Sequence, residues 1–154
     1  MKAAKTFDKF EKWNKELDGN ERERVAKVTS LIPKDVRFIL DLGCGDGRIT
    51  NRLVGFKRVV GLDFSRVALK YVKADRVFAS CTNIPFHKNS FDLILVTELL
   101  EHLDNNAFEQ TLKEVEELNP KYIIVGVPYE QDLRELLCKC LNCGRTYLPS
   151  SAVG

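Results

Sequence analysis

The sequence predicts a doubly wound α/β fold: a mostly parallel sheet of about five strands, shortened at its C-terminus. Short apolar segments alternate with segments of helical periodicity, as expected of a parallel sheet covered by helices on both faces. A glycine-rich loop follows the first predicted strand, and an acidic residue ends the second. The 154 residues are enough for about one domain.

The elements follow from apolar spacing and from their boundaries. Strands are predicted where short apolar runs end at glycine or polar residues, at 37–42, 58–63, 76–79, 91–96 and 122–127. Helices are predicted where apolar residues recur every three or four positions, at 7–17, 21–32, 48–54, 65–72, 104–118 and 130–138. The expected helix caps are Asn20, Ser65 and either Asp104 or Asn105.

Composition excludes several classes of function. Lys and Arg number 24 and Asp and Glu 22, a formal net charge of +2 that does not indicate a nucleic-acid partner. No aromatic and basic stripe is visible either. No apolar run reaches the roughly 20 residues of a membrane helix, and no secretory signal is present. Five cysteines, an odd number, then favour reduced thiols and a cytoplasmic location.

The glycine loop is the most informative segment, with the sequence DLGCGDGR at 41–48. Its three alternating glycines allow a sharp turn at the start of a helix, where an anionic group can bind. The spacing G-x-G-x-G differs from the G-x-G-x-x-G of nicotinamide-binding loops, and a tight strand-to-helix turn is the alternative. Asp63, twenty residues after Gly43, is placed to bind ribose hydroxyls, or else to cap the next helix.

Four ordered motifs resemble those of the class I S-adenosylmethionine-dependent methyltransferases, especially the small-molecule branch called type 11. They cover about 36–128 and read DLGCGDG at 41–47, GLDFS at 61–65, NIPF through SFDLI at 83–94, and ELLEHL at 98–103. The resemblance implies a Rossmann-like fold, S-adenosylmethionine as cofactor, and methyl transfer to an acceptor. We expect that acceptor to be a small molecule.

The resemblance also implies roles for individual residues on the cofactor side. Asp41 and Gly43 would face the amino-acid part, and Gly45 and Gly47 would give it room. Asp63 would hold the ribose hydroxyls. The adenine would be contacted by Phe64, Ser80 and Cys81, the last through its backbone N–H. Ser80 departs from the acid that the family usually has there, which predicts weaker cofactor binding.

Candidate residues on the acceptor side are Glu98, His102 and Tyr129. Glu98 follows the fourth strand, so it either faces the cofactor and substrate or anchors its loop. His102 is a candidate base, although its family position is more often structural, and Tyr129 would line the site after the fifth strand. His87 is expected at the surface. Phe7, Phe10 and Trp13 are expected to form a buried helix stripe, or else to cover the cofactor pocket.

The C-terminal segment carries three closely spaced cysteines, Cys138, Cys140 and Cys143. The C-x-x-C-G turn suits two ligands of a tetrahedral zinc, and Cys138 would be a third. A fourth is absent locally, so an intermolecular site, a distant ligand and ordinary thiols stay open. We therefore divide the chain into a methyltransferase-like domain at 1–137, with N-terminal helices at 1–32, and a cysteine-rich tail at 138–154.

Two functions from different classes remain. The leading one is an S-adenosylmethionine-dependent methyltransferase, with Glu98 and His102 as catalytic candidates. The alternative is a methyltransferase-like binding or regulatory module without turnover, which Ser80 and the short C-terminus favour. A nicotinamide-dependent enzyme is disfavoured by the glycine spacing. The uncovered strand edge at the C-terminal side favours a homodimer.

Overall fold

A five-stranded, all-parallel sheet organises the computed structural model, which describes residues 13–128, 138–139 and 146–147. The strands are β1 Phe38–Leu42, β2 Arg58–Asp63, β3 Asp75–Phe78, β4 Leu93–Thr97 and β5 Tyr122–Gly126. Their order across the sheet is β3-β2-β1-β4-β5. The doubly wound, Rossmann-like fold predicted from the sequence is therefore confirmed.

The strand order reverses at β1, and this fixes where a ligand can bind. β1 pairs with β2 on one side and with β4 on the other, so that Asp41 lies beside Gly61 and Leu95. Ligands of open α/β sheets bind at the carboxyl ends of the strands at such a switch point. The loops that leave β1 and β4 there carry the glycine motif and Glu98.

Among the described residues, two of the predicted helices are confirmed near their expected bounds and two are much shorter. α1 is Gly19–Ser30, α2 is Thr50–Leu53 and α3 is Asn105–Leu118, with 3-10 turns at Ala68–Tyr71 and Leu100–His102. The predicted helix 48–54 shrinks to α2 because Val54 turns extended (ψ 130°) and pairs with Lys57. The predicted helix 65–72 is reduced to a 3-10 turn.

The predicted caps are partly correct. Asp18, not Asn20, caps α1, because its carboxylate accepts the N–H of Glu21 at 2.8 Å. Ser65 accepts the N–H of Ala68 at 3.1 Å, as predicted. Of the two candidates for α3, Asp104 is the cap and accepts the N–H of Ala107 at 2.9 Å.

The predicted helices 7–17 and 130–138, near the two ends of the chain, are wrong in the parts that the structure describes. Residues 13–17 of the predicted helix 7–17 are not helical, since Asn14 has a left-handed φ of 62°. Cys138 is not the end of a helix: β6 Cys138–Lys139 pairs antiparallel with β7 Thr146–Tyr147. The rest of both predicted helices lies outside the described residues.

The core has two halves, one on each face of the sheet. α3 contributes Val115 and Leu118 to the half that contains Leu40, Leu42, Ile94 and Val96. α1 contributes Val25 and Val28 to the half that contains Ile39, Val59, Leu93 and Leu95. β5 is less well covered, since its Ile123 and Val125 are 51% and 54% exposed. Across the described ranges, no helix has the length and apolarity needed to cross a membrane.

Asp41 is a carboxylic acid inside this core. It is 2% exposed, and its carboxylate accepts a 2.5 Å hydrogen bond from the Thr50 hydroxyl of α2. Its pKa is raised from 3.8 to about 6, mainly by burial and to a smaller extent by the charge of Asp63, while the Thr50 hydrogen bonds act in the opposite direction. The ionised form of Asp41 is therefore disfavoured in the folded chain.

We predict that Asp41→Asn removes a pH dependence of stability. Since the folded pKa of Asp41 lies above its unfolded value, the native chain binds the extra proton between about pH 4 and 6. Its free energy of unfolding should fall over that range as the pH rises, by on the order of 3 kcal/mol. Urea titrations at several pH values should show this fall in the parent chain and not in Asp41→Asn.

The exposed Asp75→Asn serves as the matched control and should keep the parent pH profile. Identical profiles for the parent chain and Asp41→Asn would contradict the assignment of this pH dependence to Asp41.

Candidate functional site

The glycine loop leaves β1 in a left-handed backbone conformation that favours glycine. Gly43, Gly45 and Gly47 all have positive φ, at 75°, 54° and 82°. The N–H groups of Gly43 and Cys44 both donate to the carbonyl of Leu62, at 2.8 and 3.1 Å. A side chain at Gly43 would also be excluded by space, because its Cβ would lie 2.9 Å from Cδ1 of Leu99. The loops after β1 and β4 are therefore in direct contact.

Asp63 ties this loop to the end of β2. It is 7% exposed, and its carboxylate accepts the N–H of Gly45 at 2.9 Å and the N–H of Ser65 at 2.7 Å. The sequence suggested either a cap or a ribose-binding role for Asp63. The structure shows that Asp63 holds the start of the next turn, and it also places this residue at the carboxyl edge of the sheet, where ligands bind. A carboxylate has about four acceptor positions, so these two bonds are compatible with further hydroxyl donors.

Phe64, Ser80 and Cys81 lie at the same edge. Phe64 is half-buried directly after Asp63. β3 brings Ser80 alongside, because the N–H of Ala79 donates to the Asp63 carbonyl at 3.1 Å. Ser80 is exposed, with its hydroxyl 2.8 Å from that of Thr82, and Cys81 is half-buried with a free thiol. The structure thus groups the residues expected around an adenine.

Glu98 leaves β4 with a left-handed φ of 53° and is anchored at both ends. Its N–H donates to the Gly126 carbonyl at 2.8 Å, and its carboxylate lies 2.8 Å from Nη1 of Arg24 on α1. Burial raises the pKa of Glu98, Arg24 opposes that rise, and the nearby charges of Glu101 and His102 have smaller effects of opposite sign. The loop-anchor hypothesis and the site hypothesis are both compatible with this geometry.

Glu101 and His102 follow in the 3-10 turn after β4. The side chain of His102 is exposed. Within residues 13–128, Oε2 of Glu101 is a buried side-chain oxygen that has no hydrogen-bond partner. Glu98 and His102 thus lie in the same loop after β4.

Residues 13–24, which we call the N-terminal strap, lie against the glycine loop, and sequence reasoning missed most of their contacts. The Trp13 ring lies 3.2 Å from the position that a Cβ on Gly45 would occupy, and the N–H of Asn14 donates to Asp46 at 2.9 Å. Glu21 pairs with Arg48. Trp13 therefore covers the loop, in line with the alternative that this segment covers the cofactor pocket.

For the polar contacts between the N-terminal strap and the glycine loop, the only signal in the sequence was the pair of charged residues, Asp46 and Arg48, inside the glycine loop. Asp46 is 7% exposed, and its carboxylate lies 3.3 Å from Nε of Arg48. A buried acid and a cation on a ligand loop need partners, but Asn14 and Glu21 lie more than 25 positions upstream. No local periodicity links the two segments.

The cysteines give no metal centre in the part of the chain that the structure describes. Cys44 is buried against Gly61, and burial together with the charges of Asp41 and Asp63 raises its pKa strongly, so its thiol stays protonated. Cys138 lies in β6. Cys140, Cys143 and Tyr129 fall outside the described residues, so zinc binding and a site role for Tyr129 stay predictions.

Comparison with solved structures supports the fold. The PH0226 protein of Pyrococcus horikoshii superposes with a TM-score of 0.65 at 23% identity, over 77% of this chain and 58% of that one. The N-methyltransferase NodS of Bradyrhizobium japonicum, crystallised with S-adenosyl-L-homocysteine, gives 0.64 at 21% identity, over 77% and 67% of the two chains. A possible histamine N-methyltransferase of Thermotoga maritima gives 0.59 at 24% identity, over 70% and 51%.

Two curated relatives come from Methanocaldococcus jannaschii, and both are uncharacterised. MJ0638 is 28% identical over 150 residues, which span 88% of this chain and 65% of the relative. MJ1252 is 36% identical over 94 residues, which span 59% and 35%. The match therefore covers less than two thirds of either relative.

A family model described as a methyltransferase domain matches residues 39–119, just over half of the chain. That range contains the glycine loop, Asp63, Ser80 and Glu98, which the fold gathers at the switch point. The chain therefore belongs to the methyltransferase-domain family of class I S-adenosylmethionine-dependent methyltransferases.

Proposed function

We propose that this chain transfers a methyl group from S-adenosylmethionine to a small-molecule acceptor. The single observation that carries the proposal is the Asp63 carboxylate, buried at the switch point and hydrogen-bonded to the glycine loop at Gly45. Support for a small acceptor comes from one similar structure, whose name describes a possible histamine N-methyltransferase.

The residues present fit S-adenosylmethionine. Asp63 offers a fixed, buried carboxylate for ribose hydroxyls, and a charged acceptor makes stronger hydrogen bonds than a neutral one. Phe64 and Ser80 lie beside it for the adenine, and Gly43 and Gly45 keep side chains out of the loop next to the amino-acid part. The cofactor would supply an electrophilic methyl group on a sulfonium. The chain's own contribution is to orient the acceptor and to exclude water.

Glu98 is the residue that we propose to receive a proton from the acceptor. It lies at the end of β4, next to the glycine loop, because Leu99 packs on Gly43. Its raised pKa brings it closer to the working pH of a general base, and Arg24 holds its carboxylate in place. His102, in the same loop, is the second candidate for this role.

Isothermal titration calorimetry of the purified chain with S-adenosylhomocysteine tests whether the proposed cofactor site binds this ligand. We predict saturable binding to one site, weakened roughly 10- to 100-fold in Asp63→Asn, because a hydrogen bond to a charged group is lost. Ser80→Asp should tighten binding, since it restores a charged acceptor at an exposed position that leaves the fold intact.

Asp75→Asn, at the far end of the sheet, is the matched control and should bind like the parent chain. Circular dichroism must show Asp63→Asn folded. Absence of binding by the folded parent chain, or unchanged affinity in both site variants, would refute the cofactor site. Binding without methylation of any acceptor in a panel of amines, thiols and hydroxy acids would favour the alternative of a module without turnover.

We predict that Arg24→Gln raises the pKa of Glu98. The parent value is already raised by burial, and the Arg24 charge is the largest influence that holds it down. Titration of the glutamate side-chain carboxyl by carbon-13 NMR should therefore show Glu98 protonating at a higher pH in the variant. Lys27→Gln removes an exposed charge from the same helix as control. Equal Glu98 titration in Arg24→Gln and the parent chain would contradict the role of Arg24.

A further inference from the structure

A second surface lies at the opposite end of the sheet, where the strands begin. Two cavities of about 550 Å³ each share Lys34, Phe56 and Lys57 in their walls. We call this surface the amino-edge groove. Because β1 begins at Phe38 and β2 at Arg58, the groove lies across the sheet from the carboxyl ends that carry Asp63 and Glu98.

The amino-edge groove is strongly basic. Five cations line the two cavities, and no Asp or Glu is among the described lining residues: Lys34, Arg37, Arg52, Lys57 and Arg58. Within residues 13–128, none of these five forms an ion pair. The neighbouring acids are engaged elsewhere, Asp35 with Lys121 and Asp92 with the N–H groups of Arg37 and Phe38. The charge of Arg37 lies near the Asp92 carboxylate and helps to lower its pKa, so Arg37 is partly compensated. The lining of the groove still carries an excess of positive charge.

Two phenylalanine side chains, Phe56 and Phe38, line the groove together with these cations. Phe56 is 84% exposed, the most exposed of the large hydrophobic side chains that the structure describes. It is not on a loose loop, since the N–H groups of Phe56 and Lys57 both donate to the Leu53 carbonyl, at 3.1 and 3.0 Å. Phe38 is 40% exposed, and the Arg58 guanidinium lies 5.4 Å from its ring centroid. Phe56 is therefore the exposed ring of the groove, and Phe38 is a partly exposed ring with the Arg58 guanidinium over it.

Lys57 fixes the floor of the groove. Its ammonium donates to the Lys34 carbonyl at 3.1 Å and also to the Val36 carbonyl. This ties the segment before β1 to the turn before β2, so the cations on both segments keep a defined spacing. The surface is therefore preorganised.

No contiguous stripe of this kind is visible in the sequence, because three separate segments build it. Lys34 and Arg37 precede β1, Arg52 lies on α2, and Phe56 and Lys57 lie in the following turn. The net charge of the chain gives no sign of the amino-edge groove either, since most of the acidic residues lie outside the groove. The expectation of no nucleic-acid partner rested on those two features alone.

We propose that the amino-edge groove binds single-stranded RNA. Exposed aromatic faces stack on unpaired bases, and the surrounding Lys and Arg side chains contact the phosphates. An acidic peptide would use the charge but would offer no planar bases to stack on the exposed Phe56 ring. An anionic lipid surface also accepts exposed phenylalanine beside cations, and the vesicle measurement below distinguishes it from RNA. The groove lies away from the methyl-transfer site, so this binding is independent of the acceptor.

Fluorescence anisotropy with a labelled single-stranded RNA of about 12 nucleotides tests the proposal, a length within the range that single-strand-binding folds cover. We expect binding that weakens as salt rises from about 50 to 200 mM. Phe56→Ala should reduce the affinity roughly tenfold. Arg52→Gln should weaken binding and make the plot of log affinity against log salt shallower by about 0.7.

Matched controls come from α3, where Phe108→Ala removes a partly exposed ring and Lys113→Gln an exposed charge. Both should bind RNA like the parent chain, and all four variants should keep its affinity for S-adenosylhomocysteine. Failure of the parent chain to bind, equal losses in the α3 controls, or equal binding of duplex RNA would overturn the proposal. So would tighter binding to anionic phosphatidylserine vesicles or to a poly-glutamate peptide.

Discussion

The hydrogen bonds of the Asp63 carboxylate are the constraint on which the site depends. One oxygen accepts the N–H of Gly45 and the other that of Ser65, so a single buried side chain sets the glycine loop relative to the end of β2. The strand order places this group next to the switch point. The acid that we propose to bind the ribose is in this way also a structural one, so a change at Asp63 is expected to affect both the loop and the ligand.

Several charged side chains surround the glycine loop, and they differ in the partners that stabilise their charge. Asp41 is buried with Thr50 and is disfavoured as an anion, whereas Asp46 is supported by Asn14 and Arg48. Two contacts from α1, Glu21 to Arg48 and Arg24 to Glu98, join one helix to the loops after both β1 and β4. The N-terminal strap thus contacts both the glycine loop and the loop that carries Glu98.

The sequence was sufficient for the sheet and for placing the glycine loop and Asp63 at its carboxyl edge. β1, β2 and β4 are largely apolar and buried, and the loop and Asp63 have a spacing that parallel sheets impose. The short helices were not predictable, because α2 ends where Val54 pairs with Lys57, a contact outside the apolar period. The strap and the amino-edge groove were missed for a related reason. Each is built from segments that are distant in sequence, so no local pattern records it.

Nitrogen-15 NMR of the labelled chain during titration with S-adenosylhomocysteine tests the central claim most directly. The account predicts that the amide shifts concentrate at 43–47, 63–65 and 80–81, and that those of the amino-edge groove around Phe56 stay in place. Shifts concentrated at the amino edge, or no shifts in a folded chain at saturating ligand, would contradict the claim that Asp63 and the glycine loop form the cofactor site.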